Sequence, residues 1–269
     1  ISLLKRKHIK KSLEDIDFLI IRAPTTLCSF FNKLHSKIAV MLIGELPDRS
    51  QLNKLKLFSN IYNTLLYKWM EYEQNKVLKT SLVLPNSERT FNNVWEKSKE
   101  CIQIKTTSIS IKNIFSRKDT CHSEILKLLF VGRLEESKGI FELYHAIAQL
   151  KKDKIICQLS VVGFSGNNEI KYQLVSLSEE LEINDMISFI GYVPYGESLY
   201  KTYRCHDIFI MPTKFDAFPR TITEAMSQSL PVITTKIGGI PDRLTHGINA
   251  ILIDPGNVQQ IVDSVKKLK

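Results

Sequence analysis

Two carboxylates and two cations in this chain have the types and spacing to hold a polar, anionic ligand. Asp216 and Glu224 lie eight positions apart within residues 211–239, MPTKFDAFPRTITEAMSQSLPVITTKIGG. Between them, Ala217-Phe218-Pro219-Arg220 ends where a helix should begin, and Thr221 follows. Pro219 suits the first turn of a helix, because its missing N–H would have no intrahelical partner there. Ile222, Ala225 and Met226 then share one face, while Glu224 lies roughly 160–200° from Ile222 and Met226. Free N–H groups at a helix start attract phosphate, and carboxylates pair with sugar hydroxyls. The blander alternative has Asp216 closing a turn and Glu224 facing water.

The cations come earlier, in Val131-Gly132-Arg133-Leu134-Glu135-Glu136-Ser137-Lys138-Gly139. A strand ends, Arg133 and Lys138 flank a loop, and a helix starts at or after Gly139. Arg133 can grip a diphosphate bidentately, and Lys138 supplies a point charge beside a helix N-terminus. Equally, Arg133 can pair with Glu135 or Glu136, leaving Lys138 a solvated loop lysine. The loop is not a Walker P-loop and no GxGxxG occurs. Six histidines form no HxxxH or HExxH pair, and His206, beside Asp207, reads as a packing or capping residue. No metal site is expected. Five scattered cysteines without CxxC spacing predict reduced thiols in a cytosolic protein.

The elements that must position these groups alternate cleanly in the second half. Apolar runs predict strands at 126–132, 157–163, 187–191, 207–211, 231–235 and 250–253. Helical patterns fall at 139–151, 169–181, 197–204 and 220–228, with a last helix from 258 towards 268. Such alternation predicts an α/β fold with a mostly parallel sheet covered on both faces, whose ligands bind at the carboxyl ends of strands. The first half holds fewer signals. Strands are expected at 18–23, 37–44 and 82–84, with a further strand within 101–110. A long helix is expected over 52–75, with Leu55, Phe58, Ile61, Leu65, Leu66 and Trp69 as its apolar points. Residues 110–124 read as an interdomain linker, giving domains 1–124 and 125–269.

The bulk properties are those of a globular chain of 269 residues, 43% hydrophobic and 24% charged. No apolar run reaches the roughly 18–20 residues of a membrane span, and no signal peptide is evident. The net charge is +9. Residues 1–124 hold 21 Lys/Arg against 12 Asp/Glu, and residues 125–269 hold 16 against 16. The surplus therefore lies in the first half, which either contacts an anionic membrane or acidic acceptor or is simply a solvated basic surface. Nucleic acid is not the expected partner, for want of an aromatic-interleaved basic motif.

From about residue 126 to 269, the ordered motifs LLFVGRLEESKGIFEL, ISFIGYVP, YRCHDIFIMPT, FDAFPRTITEAMSQSLPVITTKIGGIPD and HGINAILIDP resemble the C-terminal domain of family 4 retaining glycosyltransferases. That resemblance implies a GT-B fold of two Rossmann-like domains with mostly parallel sheets. It implies transfer of a sugar from a nucleotide-diphosphate donor to an acceptor hydroxyl with retention, without a cofactor or metal. Arg133 and Lys138, after Gly132, would hold the diphosphate. Asp216 would contact the donor sugar and Glu224 the ribose. Backbone N–H groups of Phe218, Pro219's neighbours, Arg220 and Thr221 would approach sugar and phosphate, and Tyr192-Val193 would lie near the base.

Some positions depart from that pattern. Asp216 stands where Glu is usual, Ala217 and Ser229 where Gly is usual, and a Gly near Ala250 is missing. The Gly losses are expected to be tolerable where the backbone does not need φ > 0. The first half resembles the later part of the family's N-terminal domain through DFLIIRAP, KIAVMLIGE and LVLPNSE. On that basis the N-terminal domain is expected to be incomplete and the chain truncated. The acceptor would be a carbohydrate or lipid-linked molecule in polysaccharide or glycolipid biosynthesis, with the enzyme cytoplasmic or peripheral at the inner membrane face. A non-catalytic nucleotide-sugar binder is the main alternative. A phosphorylase or epimerase of the same architecture is a further one.

Overall fold

In the computed structural model, residues 9, 11–13, 15–23, 37–42, 57–105, 107, 109–166 and 169–269 are described. The chain forms two compact units, Ile1–Thr106 and Thr107–Lys269. The sequence also suggests a helix through Phe30 and Leu34 after the first strand, and the resemblance puts Gly44-Glu45 at a strand end; both lie outside the described residues.

The first unit carries a parallel sheet in the order β1-β2-β3-β4. Its strands are β1 (Leu19–Ala23), β2 (Ile38–Leu42), β3 (Leu82–Pro85) and β4 (Glu100–Cys101). β4 is only two residues long, where the sequence suggested a strand inside 101–110. Helix α1 (Leu57–Leu78) and helix α2 (Glu88–Val94) connect and flank these strands. Ser87 caps α2, its hydroxyl accepting from the Thr90 N–H at 3.1 Å. The apolar spacing of α1 is corrected in one respect. Leu65 and Trp69 are 62% and 46% exposed, while Val77 and Leu78, at the helix end, enter the core. Periodicity identifies a stripe without saying what covers it.

The second unit holds a six-stranded parallel sheet in the order β10-β9-β8-β5-β6-β7. The strands are β5 (Leu126–Val131), β6 (Cys157–Val162), β7 (Ile187–Gly191), β8 (Ile208–Met211), β9 (Val232–Thr235) and β10 (Ile251–Ile253). Helices α3 (Ile140–Lys152), α4 (Glu169–Glu180), α5 (Glu197–Arg204), α6 (Arg220–Ser227) and α7 (Val258–Leu268) complete it. Every residue of β8 and β9 is buried, as apolar strands covered on both faces require. The chain runs outward from β5 through β6 to β7. It then returns to the other side of β5 as β8. The sheet order thus reverses between β5 and β8, and in open parallel sheets ligands bind outside the carboxyl ends of strands at such a reversal.

Residues 110–124 are not a free linker. The Phe115 N–H donates to the Ser227 carbonyl at 2.8 Å, and the Arg204 guanidinium lies 4.5 Å over the Phe115 ring. Arg117 reaches the His206 carbonyl at 2.5 Å and pairs with Asp207 at 3.6 Å. The segment is a strap bound at the amino end of β8, and the division of the chain falls ahead of it, at 106/107 rather than 124/125. His206 is a packing residue here: it is 7% exposed, its Nδ1 lies 2.6 Å from the Thr202 carbonyl, and burial lowers its pKa.

Ser229 shows what one lost glycine costs. It follows α6 with φ of 57°. Its N–H bonds the Met226 carbonyl at 3.0 Å, and the Leu230 N–H bonds the Ala225 carbonyl at 3.1 Å. That is a Schellman termination, whose left-handed residue is usually Gly. The strain is offset by the Ser229 hydroxyl, which donates to the Phe115 carbonyl at 2.7 Å. Ala217 and Ala250 are not among the residues with positive φ, so they fit without strain. Ser229→Ala, which keeps the strain and loses the hydrogen bond, is predicted to lower unfolding free energy by about 1 kcal/mol. Ser229→Gly relieves about 1 kcal/mol of left-handed cost and should stay close to wild type. Urea unfolding that ranks Ala equal to or above Gly contradicts this.

Candidate functional site at the sheet reversal

The loop after β5 is placed by glycine contacts that no other residue allows. A Cβ on Gly163 would sit 1.8 Å from the Gly132 carbonyl oxygen, so the loops after β5 and β6 run in backbone contact. The Gly132 N–H bonds the Val162 carbonyl at 2.9 Å, and the Leu134 N–H bonds the Phe164 carbonyl at 3.0 Å. Glu136–Lys138 then make a 3-10 turn, and Gly139, at φ of 71°, starts α3. A Cβ on Gly139 would lie 1.9 Å from the Pro212 carbonyl oxygen. The loop after β5 is therefore pressed against the loop after β8.

Backbone bonds fasten the two loops. The Ser137 carbonyl accepts from the Lys214 N–H at 2.7 Å, the Phe215 N–H at 3.3 Å and the Thr213 hydroxyl at 3.1 Å. From the other side, the Gly239 N–H bonds the Ala217 carbonyl at 2.6 Å. Gly238, at φ of 53°, leaves no room for a Cβ beside the Asp216 carbonyl. The Gly238-Gly239 pair thus holds the acidic loop.

These constraints bring Lys138 and Asp216 together. Lys138 Nζ lies 2.5 Å from Asp216 Oδ2, and the side chains are 12% and 21% exposed. Arg133 takes the other course left open by the sequence. Its Nη1 pairs with Glu135 Oε1 at 2.8 Å, with the Arg133 side chain 64% exposed. A pair this exposed is worth little, about 0–1 kcal/mol, so Arg133 can leave Glu135 for a better anion. Lys138 and Asp216 are less exposed and more firmly joined. Lys214 is held by Glu142 at 2.6 Å and does not enter the site through its charge.

Pro219 sits at the N-cap rather than inside the first turn, and α6 starts at Arg220. Phe218 lies under the Arg243 guanidinium, 4.3 Å from its centroid, which fixes the entry to the helix. Arg220 is exposed, and the Thr221 hydroxyl oxygen is buried without a partner among the described residues. The Ile222 N–H bonds the Pro219 carbonyl at 3.2 Å, and the N–H groups of Arg220 and Thr221 ahead of it make this helix start suited to an anion.

The alternative of a water-facing Glu224 does not hold. It is 5% exposed on α6, and Tyr203 of α5 donates to its Oε2 at 3.0 Å. Burial raises the Glu224 pKa, and the Tyr203 hydrogen bond and the Arg220 charge oppose that rise. Tyr192 follows β7 and is 67% exposed, meeting the exposed Phe164 edge-to-face at 6.0 Å between centroids. Val193 is half-buried and packs on the core. Tyr203, Phe164 and Arg243 were not singled out in the sequence. Each lies in an ordinary apolar or basic context, and its role comes from a neighbour distant in the chain.

With this geometry in view, the comparisons with known proteins are direct. Residues 113–269 match the family of Glycosyl transferases group 1, and the chain belongs to that family. It is similar to D-inositol 3-phosphate glycosyltransferase of Corynebacterium jeikeium, 33% identical over 144 residues, covering 52% of this chain and 34% of that protein. It is similar to the amylovoran biosynthesis glycosyltransferase AmsK of Erwinia amylovora, 26% identical over 158 residues, covering 56% and 37%. The chain thus spans about a third of the length of these curated relatives. Its fold is that of GT-B glycosyltransferases, as in the Anabaena HepE structure in complex with UDP and glucose. That match has a TM-score of 0.75 and 17% identity, covering 97% of this chain and 70% of that one.

The buried Glu224 has a consequence for stability. A carboxyl whose folded-state pKa is raised binds its proton more tightly in the folded state. It therefore removes stability as pH rises from the unfolded value of 4.5 through the folded value. Glu224→Gln lacks that loss. The stability of Glu224→Gln relative to wild type is predicted to rise between pH 4.5 and pH 8, read by thermal unfolding. A constant or falling difference contradicts the buried, ionising carboxylate.

Proposed function

We propose that this chain forms the donor-binding part of an enzyme that moves a hexosyl unit from a nucleoside-diphosphate sugar to an acceptor hydroxyl with retention. The observation that carries the reading is the Lys138–Asp216 pair, joined across the sheet reversal beside the α6 N-terminus. A cation and a carboxylate side by side suit a ligand that is phosphate at one end and sugar hydroxyl at the other. Arg133, on its loosely held side chain, adds a second cation to the same loop.

In this reading the chemistry is charge stabilisation at the leaving group. As the glycosidic bond breaks, negative charge gathers on the diphosphate. Lys138 and the N–H groups at the start of α6 meet that charge in place, and Arg133 joins them by leaving Glu135. Asp216 orients the sugar and Glu224 the ribose. Tyr192 and Val193 border the base. The acceptor hydroxyl attacks on the face the diphosphate leaves, and a donor phosphate oxygen takes its proton. Family relatives named for an inositol phosphate acceptor and for a polysaccharide support a polyhydroxylated acceptor. The basic first half suits an anionic or lipid-linked one.

Arg133→Ala and Lys138→Ala in the natural polypeptide are each predicted to lower kcat by about 100-fold or more, the usual loss when one donor to a developing charge is removed. Near-normal turnover in both would overturn the role. A peripheral association is predicted to appear as salt-sensitive flotation with vesicles containing phosphatidylserine, and no such flotation would count against the lipid-linked acceptor.

A further inference from the structure

Glu224 is an unusual residue to bury. A carboxylate removed from water is costly unless charges or several donors compensate it. Here the hydroxyl of Tyr203 is the one protein donor to its carboxylate among the described residues, at 3.0 Å from Oε2. Oε1 receives no protein hydrogen bond among the described residues. An arrangement built for stability alone would place an apolar side chain here, so the acceptor capacity of Oε1 points to a ligand.

We propose that Tyr203 is a positioning residue for nucleotide recognition: its hydroxyl holds Glu224 so that the other carboxylate oxygen faces the ribose hydroxyls. This rests on the donor-site reading above, in which Glu224 meets the ribose. The geometry gives Tyr203 this capacity. Its side chain is fully buried on α5, with its ring 5.8 Å from that of Phe209 on β8. The hydroxyl is thereby delivered across to α6, where it lies between Glu224 Oε2 and the Thr221 carbonyl, 3.3 Å away. The phenol ring thus packs on the central sheet, while its hydroxyl meets the helix it serves. Glu224 inherits that fixed position.

Neighbouring groups support the arrangement without replacing it. Tyr200, one turn earlier on α5, directs its hydroxyl to Tyr195 at 2.9 Å and not to Glu224. Arg220, one turn earlier on α6, contributes charge from an exposed position. Neither can set the rotation of the carboxylate as a buried hydrogen bond does.

The test is ribose discrimination in the natural polypeptide, measured by titration calorimetry with uridine, guanosine and adenosine diphosphates and their 2′,3′-dideoxy analogues. Wild type is predicted to prefer the ribonucleotide by about 10- to 100-fold, the range expected for hydrogen bonds to a charged group. Tyr203→Phe should reduce that preference to about threefold or less while leaving dideoxynucleotide affinity unchanged. Glu224→Gln should also reduce the preference, and adding Tyr203→Phe to it should change nothing more, because the two act as one unit. If Tyr203→Phe alone fails to fold, the comparison of Glu224→Gln with and without Tyr203→Phe still decides the matter, since no charge is then left buried without its donor.

Equal weakening of both nucleotide types by Tyr203→Phe, or full retention of the preference, overturns the positioning role. So does a further loss of the preference in the Glu224→Gln background. Wild type that binds nucleoside diphosphates without ribose preference overturns this proposal while leaving the diphosphate role of Arg133 and Lys138 standing. Wild type that binds none of them overturns both.

Discussion

The close contact between the Gly139 backbone and the Pro212 carbonyl is the constraint on which the site depends. β5 and β8 are neighbours in the sheet but lie far apart in sequence. Neighbouring strands alone would bring their following loops only roughly together. Gly139 permits a backbone approach that any Cβ would block, and the Ser137 carbonyl then gathers three donors from the loop after β8. Only with that junction formed can a short lysine-to-aspartate contact of 2.5 Å span 78 positions of chain. The Gly238-Gly239 pair completes the junction from the β9 side. The loops are thus set by backbone geometry, and their side chains are free to serve a ligand.

A second feature is that the site's charges are met by the chain itself, but unequally. Lys138 and Asp216 are mostly shielded and Arg133 and Glu135 are mostly solvated. In the proposed donor site, a diphosphate would displace Glu135 from Arg133 at little cost and would meet at Lys138 a cation already held in place. Glu224 differs from both, because it is buried beside a neutral phenol and its pKa is raised. Groups held in an unfavourable ionisation environment cluster at functional sites. The fold accepts instability at Glu224 that an apolar residue would remove.

The strands and helices of the second unit were legible because β5, β8 and β9 are continuous apolar runs bounded by turn residues. The order of the strands was not, since nothing local in β8 says that it pairs with β5. Residues 110–124 looked like a linker because they are polar. Their hydrogen bonds to Ser227, Arg204 and His206 use backbone carbonyls that no composition reveals. The candidate site residues Arg133, Lys138, Asp216 and Glu224 stand out in the sequence through type, spacing and resemblance. Their partners stand out less. Arg133 had Glu135 among its stated alternatives, whereas Tyr203 carries no local signal and is defined only by a contact between two helices. The tolerance of lost glycines divides as backbone geometry dictates. Ala217 fits an ordinary conformation, and Ser229 must be held in a left-handed one by Phe115.

The most direct test of the account is a crystal structure of the protein with a nucleoside diphosphate bound. The account predicts the diphosphate against Lys138 and the N-terminus of α6, with the Arg133 guanidinium moved from Glu135 onto a phosphate oxygen. A nucleotide bound away from the β5–β8 reversal, or a diphosphate there with Arg133 still paired to Glu135 and no contact to Lys138, would contradict it.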